Sequence, residues 1–286
     1  MIFGKSDSVY KARLATIQDA EAIRRLTVGA WRVYLRFSPD EILLRLRSGL
    51  GWVAGQEDRL NGFMLAEIQP FLIAVITGAA LRDTWHVASY LDAFLPAAEE
   101  MLHSQDVTAL VQIGQASWLT DLLRQRGFAD KDGVITYEWR HQPVNVHGDL
   151  TVIVRSAHMQ DLPTLLALDR SIFGPVWHKP IVHFEEALAR AFSFTVAQEA
   201  GQIVGYQWCE RYERHGHLTR LAVRPGWEGR GIGTRLLTEA LVAMVKSGVS
   251  WITLNTQESN LRSRVLYERH GFRPMHERVA VLWKDL

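Results

Sequence analysis

The chain has 286 residues, 48% of them hydrophobic and ten of them tryptophan, enough apolar material for one large core or two ordinary ones. Its formal net charge of +1 argues against a dedicated nucleic-acid or membrane-surface binder, and no apolar run reaches the length of a membrane span. The lone Cys209 excludes an internal disulfide and a CxxC metal site, in keeping with a reducing cytoplasm.

In chain order, the opening MIFGKSDSVYKARL lacks the apolar core of a signal peptide. A hairpin follows around Asp58 to Asn61, then the apolar strand FLIAVITGAAL (71–81) and a helix near 87–103. The segment HQPVNVHG, 141–148, is polar, aperiodic and carries Pro and Gly, so it reads as a linker. Beyond it the pattern predicts a strand at about 151–155, a helix at 160–170 with Asp161 near its start, and a broken stretch around PVWHKP. A helix near 183–191 and strands at 194–199 and 203–212, hinged at Gly201, come next. A core strand at 217–223, a long helix at 231–247, a strand at 251–255, a helix at 261–270 and a last strand near 276–283 complete the chain. Cys209 sits in the strand-like run GYQWCERY and reads as a buried structural thiol rather than an acyl-carrying nucleophile.

The two halves repeat. Arg13, Ala15, Gln18 and Asp19 recur as Arg155, Ala157, Gln160 and Asp161. Val53-Ala54, Gly62 and Glu67 recur as Val196-Ala197, Gly205 and Glu210, and Gly127-Phe128 recurs as Gly271-Phe272. Matched segments in one order at near-constant offset indicate two copies of a domain of ordinary size. They are expected at 1–143 and 149–286. Hairpins mixed with strand-helix units suit an α+β fold, each copy a mixed β-sheet flanked by helices.

The second copy carries the chemistry. Its strand Leu218 to Val223 runs through Pro225 and Gly226 into Gly229-Arg230-Gly231-Ile232-Gly233 at the head of the long helix. Unpaired amide N–H groups and the positive end of a helix dipole converge at such a turn, which makes it an anion cradle. Downstream, Asn260, Arg264 and Tyr267 fall on one helix face and Gly271 is placed to end that helix. The first copy has Arg82-Asp83-Thr84-Trp85-His86 at the cradle position, without glycine, and Ala116 and Leu123 where the second has Asn260 and Tyr267. Residues 1–143 carry 15 Lys and Arg against 17 Asp and Glu, whereas 144–286 carry 17 against 14. Arg220, Arg224, Arg230, Arg235, Arg262 and Arg264 lie around the cradle in sequence, as counter-charge for a phosphorylated ligand.

These residues resemble the GNAT superfamily of acyl-CoA-dependent N-acyltransferases. Gly231 and Gly233 match its (Gln/Arg)-x-x-Gly-x-(Gly/Ala) motif, and Asn260, Tyr267, Gly271 and Phe272 match its following segment. Glu228 departs from the Gln or Arg usual there, which removes side-chain help to a pyrophosphate and leaves the backbone donors. A tandem with one reduced copy is similar to the mycothiol synthase architecture. The resemblance implies a cytoplasmic N-acetyltransferase, monomer or homodimer, using acetyl-CoA as cosubstrate and no metal. The acceptor is the amine of a small molecule or peptide, with neither nucleic acid nor membrane as partner. The alternative is a non-catalytic acyl-CoA-sensing regulatory module, which has no use for the acid Tyr267.

The resemblance also implies roles. Leu221, Ala222 and Val223 hold the pantetheine arm, with an N–H near Val223 as oxyanion donor, a contribution of roughly 3 kcal/mol. Glu228, Gly229, Arg230, Gly231, Ile232, Gly233 and Thr234, with Asn260 and Arg264, bind the rest of the coenzyme. Tyr267, a phenol with a reference pKa of about 10, gives its proton to the leaving sulfur. The family's usual basic Glu position is His217, with Glu210, Glu213 and His215 as other candidates for the base. The segment Phe173 to Pro180 borders the acceptor pocket in this family.

Overall fold

The computed structural model describes residues 11–56, 59–83 and 85–286. The start of the chain, Asp58 of the first hairpin and Thr84 of the first copy's turn lie outside the described residues. The elements, in chain order, are β1 (Arg13–Leu14), α1 (Ala20–Gly29), β2 (Arg32–Leu35), α2 (Ile42–Ser48), β3 (Leu50–Gln56), β4 (Arg59–Gln69) and β5 (Ile73–Leu81). Then come α3 (Val87–His103), β6 (Ala109–Gly114), α4 (Ser117–Arg124), β7 (Ala129–Arg140), β8 (Ile153–Ser156), α5 (Leu162–Ile172) and α6 (Ile181–Arg190). The chain ends with β9 (Ser193–Glu199), β10 (Gln202–Tyr212), β11 (His215–Val223), α7 (Ile232–Lys246), β12 (Trp251–Gln257), α8 (Leu261–Arg269) and β13 (Arg273–Asp285). The class is α+β, mixed sheets flanked by helices. No helix among the described residues is long and apolar enough to cross a membrane.

Two compact units form, and their limits differ from the expected 1–143 and 149–286. One contains residues 1–133 and 279–286, the other 134–278. Strand pairing is the reason. Residues 134–140 of β7 pair antiparallel with β12, from Val134↔Gln257 to Arg140↔Trp251, and bury Tyr137 and Trp139 in the second unit's core. Residues 280–285 of β13 pair with β6 and bury Ala280 and Leu282 in the first unit's core. Each sequence repeat has thus given the later part of its last strand to the other unit.

The repeat is otherwise visible residue by residue. Arg13 makes a two-pronged pair with Asp19 at 2.7 and 2.9 Å, and Arg155 makes the same pair with Asp161 at 2.8 and 2.9 Å. The Nε of Arg82 donates to the carbonyl of Leu60, and that of Arg224 to Ile203. Ala116 and Asn260 both sit at helix N-caps, of α4 and α8, while Leu123 and Tyr267 are both buried.

In the second unit, α7 places Ile232, Leu236, Leu237, Ala240, Leu241 and Met244 on its buried face, a spacing that lays one apolar stripe on the sheet. Those side chains pack against Leu218 and Cys209 at one end and Val204 and Val223 at the other. Cys209 is fully buried and desolvation pushes its thiol up to about 12, so it is structural, as expected.

β11 pairs in parallel with β12 only from His215↔Trp251 to Leu218↔Leu254. After Leu218 the strands part, β11 continuing beside β10 and β12 beside β7. β5 and β6 of the first unit likewise pair only from Ile73↔Ala109 to Ile76↔Gln112. There, however, β2 pairs with β5 from Arg32↔Leu81 to Leu35↔Gly78. Because β4 occupies the other edge of β5, β2 lies on the edge from which β6 has departed. Tyr34 of β2 donates its hydroxyl proton among the carbonyls of Ile76 and Ile113, 3.2 and 2.7 Å away.

The strand exchange predicts that Leu282→Ala, at a fully buried position, loosens the amino-terminal unit by about 2–5 kcal/mol. Hydrogen exchange is expected to speed up in β4 to β6 while β9 to β11 keep their protection.

Candidate active site

A β-bulge opens the site. Trp208 is opposite Arg220 and Cys209 opposite Leu218, which leaves Thr219 as the extra residue of β11. The bulge bends β11 at the point where β12 leaves it. Beyond it, the N–H of Arg224 bonds the carbonyl of Val204 on β10 at 2.8 Å. Backbone groups alternate along a strand, so the N–H of Val223 points to the opposite edge, into the gap. Leu221 presents its backbone to the same gap, and Ala222 lies between them, facing β10.

The glycine turn lies at the mouth of this gap. Gly226, Gly229 and Gly231 all have positive φ, +83°, +78° and +88°. Gly231 is the N-cap of α7, with no side-chain capping bond, so the amides of Ile232, Gly233 and Thr234 face outward in the first turn. A Cβ on Gly231 points not toward an anion but toward the linker, 3.0 Å from the nitrogen of Asp149. The close packing of Gly148-Asp149 on the helix start fills that space. A Cβ on Gly233 meets Leu266 and Val223 at 3.4 and 3.5 Å, and one on Gly229 meets open space. Glu228 is turned back into the loop, accepting from the N–H of Gly226 at 2.7 Å. Its own amide and that of Gly226, with Arg262 nearby, hold its carboxyl below the usual range.

The arginines do not form one free cluster. Arg230 pairs with Glu199 at 2.7 Å and covers the Trp227 ring; Arg235 pairs with Glu239 and Arg262 with Glu228. Arg264 donates to the Glu258 carbonyl and to Tyr137 Oη. Asn260 caps α8 by accepting from Ser263 N–H at 3.1 Å. The expected shared face of Asn260, Arg264 and Tyr267 is therefore divided: a cap, a brace, and a buried phenol. Tyr267 is 6% exposed, packs against Tyr137 and Phe272, and burial pushes its phenol up to about 12, eased by a hydrogen bond with Ser263.

Arg220 lies away from the cradle, in a buried network that the sequence did not reveal. Its guanidinium is 2.6 Å from Asp169 Oδ1, lies over Phe173 at 3.4 Å from the ring centre, and donates to the Trp177 carbonyl at 2.8 Å. Tyr206 donates to the same Asp169 oxygen at 2.5 Å. The Phe173 to Pro180 segment is thus pinned to β11 from beneath. Beside it is a cavity of about 750 Å³ whose wall includes Lys179, Arg190, Trp208, Glu210, Tyr212 and Thr219. The Thr219 hydroxyl is buried without a hydrogen-bond partner.

His217 stands two residues before Thr219 on β11, opposite Glu210 on β10 and Thr253 on β12. Its Nδ1 is 2.9 Å from Thr253 Oγ1, and His215 Nε2 is also 2.9 Å from that oxygen. Burial lowers both imidazole pKa values; for His217, Glu210 acts in the opposite direction, and His215 and Lys179 add to the lowering. Glu210 accepts a short hydrogen bond from Tyr212. Glu213 lies in the turn after β10, exposed and with a φ of +54°. The alternation of β10, β11 and β12 could have marked Thr253 as a partner of His217, but their register is set by pairing that no local pattern encodes.

The two glycines predict a measurable contrast. Gly231→Ala and Gly229→Ala each force a side chain into left-handed backbone, a cost of roughly 1–2 kcal/mol. Only Gly231→Ala also collides with the linker, so its urea midpoint is expected to fall further.

Residues 162–272 match the family model for the acetyltransferase (GNAT) family. The chain is 28% identical over 129 residues to the mycothiol acetyltransferase of Acidimicrobium ferrooxidans, covering 43% of this chain and 37% of that protein. It therefore spans well under half the length of that relative. Among solved structures, a GCN5-related N-acetyltransferase from Sphaerobacter thermophilus superposes with a TM-score of 0.67 at 18% identity, covering 98% of this chain and 97% of its own. A tandem GNAT protein from the clavulanic acid biosynthesis pathway gives 0.63 at 13%, over 96% and 98%. These last two carry the fold alone. The second repeat thus matches the acetyltransferase (GNAT) family model, and the fold along nearly the whole length is shared with solved GNAT structures, a tandem protein among them.

Proposed function

We propose that the chain transfers an acetyl group from acetyl-CoA to a primary amine, of a small molecule or a peptide, in the unit formed by residues 134–278. The observation that carries this reading is the gap beyond Leu218, into which the Val223 N–H points, with the glycine turn at one end and the buried Tyr267 on α8. The residues fit the cosubstrate. Leu221 and Val223 offer strand-edge hydrogen bonds to an extended amide-bearing arm, and the outward amides of Gly229 to Thr234 suit its phosphates. Arg230 reaches those phosphates by exchanging Glu199 for them. Asn260 and Arg264 serve indirectly, by holding α8 in place.

Acetyl-CoA supplies an activated thioester. The Val223 N–H stabilises negative charge on the acyl oxygen as the amine adds. His217 accepts the proton of the attacking ammonium; burial lowers its pKa, so the imidazole is neutral at pH 7. Tyr267 protonates the departing sulfur, and a phenol raised to about 12 keeps its proton across the physiological range. The lone thiol, Cys209, supports a reducing, cytoplasmic setting for the reaction; a monomer or homodimer acting on a free amine, with neither nucleic acid nor membrane as partner, completes the reading.

Two outcomes test the reading. Tyr267→Phe is expected to leave the acetyl-CoA Kd within about twofold and to lower kcat by about tenfold or more, followed as coenzyme A thiol release over a panel of amines; an unchanged kcat removes the phenol from the chemistry. Calorimetry is expected to give one acetyl-CoA per chain. In the other unit β2 already bonds Gly78 to Leu81, the positions that repeat the Val223 region, so two equivalent sites would overturn the assignment.

A further inference from the structure

We propose that Thr253 and His215 together set the tautomer of His217, making Thr253 a positioning residue for the base; this rests on the acetyl-transfer reading above. The geometry is a shared hydroxyl: Thr253 Oγ1 is 2.9 Å from His217 Nδ1 and 2.9 Å from His215 Nε2. A hydroxyl carries one hydrogen. It can accept twice but give its hydrogen only once, and the described residues offer that buried hydrogen no acceptor besides the two rings; with both imidazoles neutral, every hydrogen is used when one ring donates to Thr253 and the other accepts from it.

Two arrangements meet that condition. In the first, His217 Nδ1–H donates to Thr253, whose proton goes to His215 Nε2; His217 Nε2 is then bare and can take a proton. In the second, His215 Nε2–H donates, Thr253 gives its proton to His217 Nδ1, and His217 Nε2 carries hydrogen and is useless as a base. The acetyl-transfer reading selects the first, since only there is Nε2 bare; of the charged groups around His217, Glu210 favours added positive charge while His215 and Lys179 oppose it. Burial lowers both imidazole pKa values, so the neutral pair is the state at pH 7.

Strand pairing sets named groups along both edges of the row. β10 contributes Glu210 opposite His217 and Tyr212 opposite His215. β12 contributes Trp251, 4.3 Å from the His215 ring, and β7 contributes Arg140 over Trp251 and Glu138 opposite Thr253. On substrate binding, one proton passes from the ammonium nitrogen to His217 Nε2, giving an imidazolium that keeps Nδ1–H on Thr253. That proton returns to solvent before the next turnover, and no other group is consumed.

The test is nitrogen-15 NMR of the histidines in the intact chain, with no ligand needed, beside kinetics. Wild type is expected to show His217 protonated at Nδ1 and His215 at Nδ1. Thr253→Val, which keeps the shape and removes the hydroxyl, is expected to abolish that preference, to lower kcat about tenfold and to shift the acid limb of the pH profile. Thr253→Ser restores both. A wild-type His217 protonated at Nε2, or an unaltered tautomer in Thr253→Val, overturns the proposal. If the tautomers behave as stated yet His217→Ala retains full activity, the device stands and the role of His217 in acetyl transfer falls.

Discussion

The parting of β11 from β12 after Leu218 is the constraint from which the rest follows. A paired strand spends its N–H groups on its neighbour; only where the neighbour leaves can the Val223 N–H serve something else. The bulge at Thr219 produces that departure and turns Thr219 and Arg220 toward the same side of the sheet. Three consequences converge there: a free strand edge, an aperture, and an arginine directed under the loop that borders the cavity. The first unit has the same parting and the opposite outcome, because β2 fills it with backbone from its own chain and Tyr34 bonds the carbonyls on both sides. A single short strand therefore separates a bonded edge from an available one.

Energetically, the site rests on a buried ion pair. Asp169 is 1% and Arg220 9% exposed, and such a pair repays its desolvation only when its remaining hydrogen-bonding capacity is used. Here Tyr206, the Trp177 carbonyl and the Phe173 ring use it. The pair contributes placement more than net stability, since it fixes the 173–180 loop relative to β11. The remaining arginines are each satisfied by a nearby acid or carbonyl, so a polyanion would have to replace those partners rather than meet bare charge.

Much of this was legible in the residues. Periodicity placed α7, β12 and α8 within a residue or two, the 142- to 144-residue offsets revealed the duplication, and Gly231 and Gly233 marked the head of α7. What escaped was non-local. The exchange of β7 and β13 leaves no trace in composition, because either strand would suit either sheet. Asp169 looks like any acid in an amphipathic helix until Arg220, 51 positions away, is seen above it. The space above Gly231 reads as a ligand's until Gly148 is found in it, and α8 reads as one functional face until its capping and packing divide that face.

The exchanged strands also impose an order of assembly during synthesis. Residues 134–278 are contiguous, so the second unit has every strand of its sheet once translation passes Arg278. The first unit, though made earlier, waits for residues 279–286 to cover β6 and fill its core with Leu282. Until then the nascent amino-terminal segment displays the open edge of a largely apolar strand, which makes it a natural client for ribosome-associated chaperones. The duplicated gene thereby ties its two products together: neither repeat, cut at the linker, retains the complement of strands that its own unit uses.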